Sequence, residues 1–244
     1  MESATGAQFP LTRWSLIVQA GNSADPRTRE HALEEICRSY WRPLYAFARR
    51  KGCPPPDAED ATQSFLAMLL ENSAIAAADS RAGSLRTFLL TRFQSFLVDS
   101  WRRDHAAKRG GNAVHLPLDF HDAETWCAAE VQDTTSPDAA FERQWVNDLL
   151  EAVLQRVRES YGSSGRAAQF EVLRPFLNFD DTGSDYTAAA ETLGTTAAAV
   201  RQAVHRLRER FSRALRDHIA ETLAAPTAEA IDEELAALRA VLAG

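Results

Sequence analysis

The sequence predicts an all-α fold of two helical domains, on three observations. Strand signals are scarce, apolar residues recur at helical spacing over most of the 244 residues, and glycines and prolines interrupt that spacing at intervals suited to helix ends. A short helix is expected from Thr12 through Trp14, Ile17 and Val18. A longer one covers about Arg27 to Lys51, with a stripe of Leu33, Ile36, Tyr40, Leu44 and Phe47, and stops at Gly52. After Pro54, Pro55 and Pro56, Asp57 can cap a helix to about Glu71. The next helix runs from Leu85 to about Ala107 and ends before Gly110 and Gly111.

From there to about Ser136 the chain is acidic and broken, which reads as a linker. Val114, Leu116, Leu118 and Phe120 alternate within it, but Pro117 favours an extended segment over a strand. Beyond it lie a long helix from Asp138 to about Tyr161, a break at Gly162 to Gly165, a helix from Arg166 to Leu177, and the final helices. The resulting boundaries are residues 1–26 for an N-terminal extension, 27–111 and 138–225 for two domains, 112–137 for the linker and 226–244 for a C-terminal helical extension. In that extension Thr227 can cap a helix with a stripe of Ile231, Leu235, Leu238 and Val241 or Leu242, expected to pack on the second domain.

Composition narrows the function. The longest apolar run is six residues, Phe65 to Leu70, and Met1 and Glu2 do not open a signal peptide, so a cytoplasmic protein without membrane contact is expected. Cys37, Cys53 and Cys127 form neither a disulfide framework nor a zinc motif; His115, His121 and Cys127 lie in the linker, and no metal or cofactor is expected. Neither a glycine-rich phosphate loop nor a nucleophile motif appears, so no catalytic residue is assigned. The net charge is −7, but it is unevenly spread: residues 81–111 carry +5 and 201–216 carry +5, while 119–151 carry −8 and 221–244 carry −4. Such separation suits two anion-binding surfaces joined by an acidic connector, the alternative being solvated helix faces.

Residues 186–205 read YTAAAETLGTTAAAVRQAVH. A small residue at Ala190, glycine at Gly194 and an apolar residue at Val200 have the offsets of a helix-turn-helix: close approach, a left-handed turn, and a packing residue on the second helix. At 100° per residue, Val200, Val204, Leu207 and Phe211 share one stripe; Ala198, Gln202, His205, Arg206 and Glu209 face away, with Arg201 and Arg208 at the border. Glutamine and arginine can read adenine and guanine edges, and flanking arginines can bind phosphates. From Leu85 to Arg109, aromatics (Phe88, Phe93, Phe96, Trp101) interleave with Arg86, Arg92, Arg102 and Arg103, a pattern that serves either a core or a grip on unstacked bases. On the helix from Asp57 to Glu71, Asp60, Gln63 and Leu66 form a stripe apart from Ala58, Ala61, Phe65 and Met68, suited to docking or to solvent.

In this order the motifs resemble a bacterial sigma factor of the sigma-70 family, of the extracytoplasmic-function type. DAEDATQSF is similar to the region 2 helix that docks on core RNA polymerase, residues 88–109 to the part of region 2 that opens and reads the −10 element, and TAAAVRQAVHRLRERF to the region 4 helix that reads the −35 element. The resemblance implies a region 2 helical bundle and a region 4 helix-turn-helix joined by the acidic linker. It implies polymerase contacts at Asp60, Gln63 and Leu66, and −35 contacts at Ala198, Arg201, Gln202, His205, Arg206 and Arg208. The −10 contacts fall on Phe93, Gln94, Ser95, Phe96, Trp101, Arg102 and Arg103, with Gln94 and Ser95 standing where many relatives have an asparagine. The implied partners are core RNA polymerase, duplex promoter DNA with its melted −10 strand, and an anti-sigma factor. The competing reading is a standalone helix-turn-helix regulator or a sigma mimic that binds other proteins.

Overall fold

A computed structural model describes residues 26–71, 84–106, 118, 120, 123, 136–177, 185–223 and 225–243. Among these the fold is all-α, with eight α-helices: α1 (Pro26–Arg50), α2 (Pro55–Glu71), α3 (Leu85–Ala106), α4 (Pro137–Gly162), α5 (Ala167–Leu173), α6 (Tyr186–Thr192), α7 (Ala197–Thr222) and α8 (Ala228–Ala243). A 3-10 turn, Arg174–Leu177, continues α5, and Ser84 forms a single antiparallel bridge with Leu223. No helix among the described residues is long and apolar enough to cross a membrane. The helix expected from Thr12 lies outside the described residues, as does most of the segment 112–135.

The helix ends have local causes. Gly52, at φ +92°, turns the chain out of α1, and the Cys53 N–H closes back on the Ala48 carbonyl at 3.1 Å. Prolines then occupy the opening of α2, where a missing N–H costs nothing. Ser136 caps α4, its hydroxyl accepting from the Ala139 N–H at 3.2 Å. Thr227 does the same for α8 through the Ala230 N–H, also at 3.2 Å.

By contact the chain divides into two compact units, Met1–Asn147 with Ile219–Gly244, and Asp148–His218. This partition differs from residues 27–111 and 138–225: the first turns of α4 and the whole of α8 belong with the first unit. A charge cluster is the physical reason. The guanidinium of Arg86, on α3, donates to the carboxylates of Glu142 on α4 and, at 2.7 Å, Glu234 on α8, and it lies 4.8 Å over the Trp145 ring. The C-terminal helix, expected to pack on the second domain, therefore belongs to the first unit. Of its stripe Leu238 is buried and Ile231, Leu235 and Val241 are half-buried, whereas Leu242 is 56% exposed.

The rest of that unit's core comes from α1, α2 and α3: Tyr40, Leu44, Tyr45, Phe47, Phe65, Leu66, Leu85 and Phe93 are fully buried. Phe93 packs 5.0 Å from Phe65 and 6.0 Å from Phe47, so three helices meet at one aromatic cluster. The acidic segment also contributes. Phe120 lies 4.8 Å from Trp41 and 5.6 Å from Tyr45, and Ala123 is buried one turn later, so at these positions the expected linker is part of a core.

Candidate functional site

The second unit is built around Val157 and Tyr161 of α4, Phe170 and Leu173 of α5, Phe176, Ala189 and Ala190 of α6, and Val200, Ala203, Val204 and Leu207 of α7. Of the residues that the helix-turn-helix pattern places inward, Ala190, Val200, Val204 and Leu207 are buried, and Phe211 is half-buried against them. Asp185 caps α6, accepting from the N–H groups of Thr187 at 2.7 Å and Ala188 at 3.3 Å. Those backbone donors hold its carboxyl below its ordinary value of 3.8. The cap's contribution is thus present above that pH and is lost as pH falls through the lowered value.

The turn between α6 and α7 depends on Gly194, at φ +61°. It lets the Thr195 N–H reach the Ala190 carbonyl at 2.9 Å, and Thr196 then caps α7 by accepting from the Ala199 N–H at 3.2 Å. A Cβ at Gly194 would meet nothing within 4 Å, so the cost of a side chain there is backbone strain alone. Gly194→Ala is expected to lower stability by about 1–2 kcal/mol, read as a lower urea midpoint at unchanged m-value. An unchanged midpoint would show that the turn does not need the left-handed conformation.

With Val200, Val204 and Leu207 inward, α7 exposes Ala198, Arg201, Gln202, His205 and Arg206 to solvent. Arg201 lies 5.4 Å over the Tyr186 ring, and His205 Nδ1 is 3.6 Å from the Glu209 carboxylate. Arg208 departs from the expectation of a phosphate contact. It is half-buried and donates from Nε at 3.1 Å and Nη2 at 2.9 Å to the Phe176 carbonyl, closing the free end of the 3-10 turn.

The candidate residues of the first unit separate more sharply. Asp60 is exposed and Gln63 half-buried on α2, but Leu66 is 1% exposed and belongs to the core, not to a docking face. Phe93, at 0% exposure, is likewise no stacking surface for a base. Phe96 is half-buried, 5.6 Å from Phe65 and stacked at 6.4 Å on Phe93. Gln94 donates to the Asp138 carboxylate at 2.9 Å, and the exposed Ser95 donates to the Thr91 carbonyl at 3.2 Å. Arg86 is held by two carboxylates and cannot serve a phosphate, whereas Arg92 is exposed, 5.5 Å over the Phe88 ring. Trp101, Arg102 and Arg103 lie in the last turns of α3, with side chains outside the described residues.

Compared with known protein families, curated proteins and solved structures, the chain matches none. The case for a function therefore rests on the residues themselves. Among the described residues no group of three His, Cys, Asp or Glu could hold a metal ion, and His115, His121 and Cys127 lie outside them. Burial raises the Cys37 thiol to about 11 and, less strongly, that of Cys53. One arrangement escaped sequence reasoning: Arg166 and Arg210 both lie over the ring of Tyr161, at 5.0 and 5.2 Å. Arg210 stands in a basic stretch that was legible, but only tertiary packing joins it to a tyrosine 49 positions earlier and to the turn before α5.

Proposed function

We propose that this chain is a sigma-70-like initiation factor that binds core RNA polymerase in the cytoplasm and directs it to promoters. The observation that carries this reading is the helix-turn-helix of α6 and α7. A glycine turn and an apolar inner stripe leave Ala198, Arg201, Gln202, His205 and Arg206 spread over the solvent-facing half of α7. A recognition helix works in this form: its outer N-terminal turns enter the major groove and its flanks meet phosphates. On this reading α7 takes the −35 element, and Asp60 and Gln63 dock on polymerase. The −10 strand falls to Ser95, Phe96 and the last turns of α3. The protein's work is binding, with no catalytic group of its own, and an anti-sigma factor would compete for the docking faces.

Run-off transcription on genomic fragments, with purified core RNA polymerase from the same organism, tests the proposal. Discrete start sites that need this chain support it. Binding of polymerase without new starts points to a missing activator or to the role of a terminal extension, whereas no binding favours a standalone helix-turn-helix regulator. The burial of Leu66 and Phe93 speaks for that second reading, because both had been assigned to polymerase or to a melted base.

On promoter fragments, Gln202→Ala is expected to change base preference by about 1–3 kcal/mol at one position of the site. Arg201→Ala should instead weaken all sequences alike and lower the log–log salt slope by about 0.9. Equal effects of both variants on every sequence would reject this division between base and phosphate contacts.

A further inference from the structure

Four arginines stand on the surface of the second unit. Arg166, Arg206, Arg210 and Arg213 are all exposed, and among the described residues none of them has a carboxylate partner. Arg158, by contrast, pairs with Glu171 at 2.8 Å. The four are also organised. On α7, positions 206, 210 and 213 fall within about 60° of one another at 100° per residue, which makes a single ridge along the helix. Gln169 and Arg206 line the same groove, and one turn before Gln169 stands Arg166, over the same tyrosine as Arg210. The start of α5 thus adds a fourth guanidinium to the ridge.

The stacking on Tyr161 bears on what the ridge is for. The tyrosine is 3% exposed and fixed against Phe170 at 5.6 Å, so it is a rigid platform. A guanidinium laid over a ring keeps its N–H groups available at its edge, and Arg166 commits only Nε, to Ser164 at 3.1 Å. Two forks held in this way lose less side-chain freedom when they bind an anion, which favours contact with phosphate. Angular position gives the rest. Around α7, Arg201 and Arg210 lie about 180° apart, on the two flanks of the face that carries Gln202. A helix of 10–12 Å diameter in a major groove about 12 Å wide brings its two flanks against the two bordering strands.

We propose that Arg166, Arg206, Arg210 and Arg213 form a second phosphate-contact line, which binds the backbone of duplex DNA on the side of α7 opposite Arg201. This rests on α7 being the recognition helix. It adds that the helix is gripped from both strands, with the Tyr161 platform holding one grip in advance of binding.

The test is fluorescence anisotropy of the full chain on a 30-base-pair duplex of random sequence, titrated with salt from 50 to 200 mM. Arg166→Gln with Arg210→Gln should lower the log–log slope by about 1.8, so that the wild type loses about twelvefold more affinity over that range than the variant does. Because those two arginines also pack on Tyr161, Arg213→Gln is the cleaner companion. It makes no described contact and should lower the slope by about 0.9. Arg239→Gln, on α8, should leave the slope unchanged. Slopes at the wild-type value for both the double variant and Arg213→Gln would overturn the inference. If Arg201→Ala still lowered the slope in that case, the recognition-helix reading would survive without it. No binding of the wild type at 50 mM salt would remove both. A polyglutamate peptide bound more tightly than the duplex, and released by the same variants, would assign the ridge to an acidic protein and overturn DNA as its occupant.

Discussion

Arg86→Ala is expected to cost about 3–5 kcal/mol, because it leaves two carboxylates facing each other with no cation between them. Set against a typical domain stability of about 5–15 kcal/mol, that is enough to leave the variant marginal, and urea denaturation at neutral pH measures it. The cluster of Arg86, Glu142 and Glu234 carries one negative charge too many, and Glu142 shows the consequence. Burial, with the nearby Glu234 and Asp138 carboxylates, outweighs the Arg86 guanidinium and pushes its carboxyl above the ordinary value of 4.5. A carboxyl raised in the folded state binds a proton there before it does in the unfolded chain. Its contribution to stability therefore grows as pH falls through the raised value and is complete below 4.5. Glu142→Gln keeps an acceptor for Arg86, removes the surplus charge and should flatten this part of the pH profile with little change in stability. A Glu142→Gln protein as unstable as Arg86→Ala would show that both ion pairs are needed.

Phe93→Ala should be the second large effect, about 3–5 kcal/mol, since the ring is fully buried where α1, α2 and α3 meet. Its signature is loss of near-ultraviolet dichroism and a lower urea midpoint in the absence of any DNA. Ser95→Ala, two residues on and exposed, should stay within about 0.5 kcal/mol of wild type. Were Phe93→Ala to unfold like the wild type yet fail on promoter DNA, the ring would have to leave the core to act.

Helices whose ends are marked by the chain itself were legible. Gly52 with Pro54, Gly162 with Gly165, and the cap at Thr227 each sit where a helix stops or starts, because those signals act within a few residues. The helix-turn-helix was legible for the same reason: Ala190, Gly194 and Val200 lie within eleven residues, and Ala190 and Val200 share one core. α3 was not. Phe88, Phe93 and Phe96 stand at different angles around the helix, so periodicity does not say which face inward; Phe88 and Phe93 are buried, Phe93 against Phe65 and Phe47, and Phe96 is only half-buried. The roles of Arg86 and Arg208 were hidden too, since an arginine in a basic stretch looks alike whether it awaits phosphate or a carbonyl 32 positions away. Phe120 misled because acidic neighbours mask a single buried ring.

The bond from Arg86 to Glu234 spans 148 positions and has a consequence for synthesis. The ribosome adds about 5–20 residues per second, so on the order of ten seconds pass between the emergence of the two partners. In that interval α3 stands without the α8 carboxylate and Ser84 without its bridge to Leu223. The unit that begins the chain therefore cannot be completed until α8, its last helix, has been made.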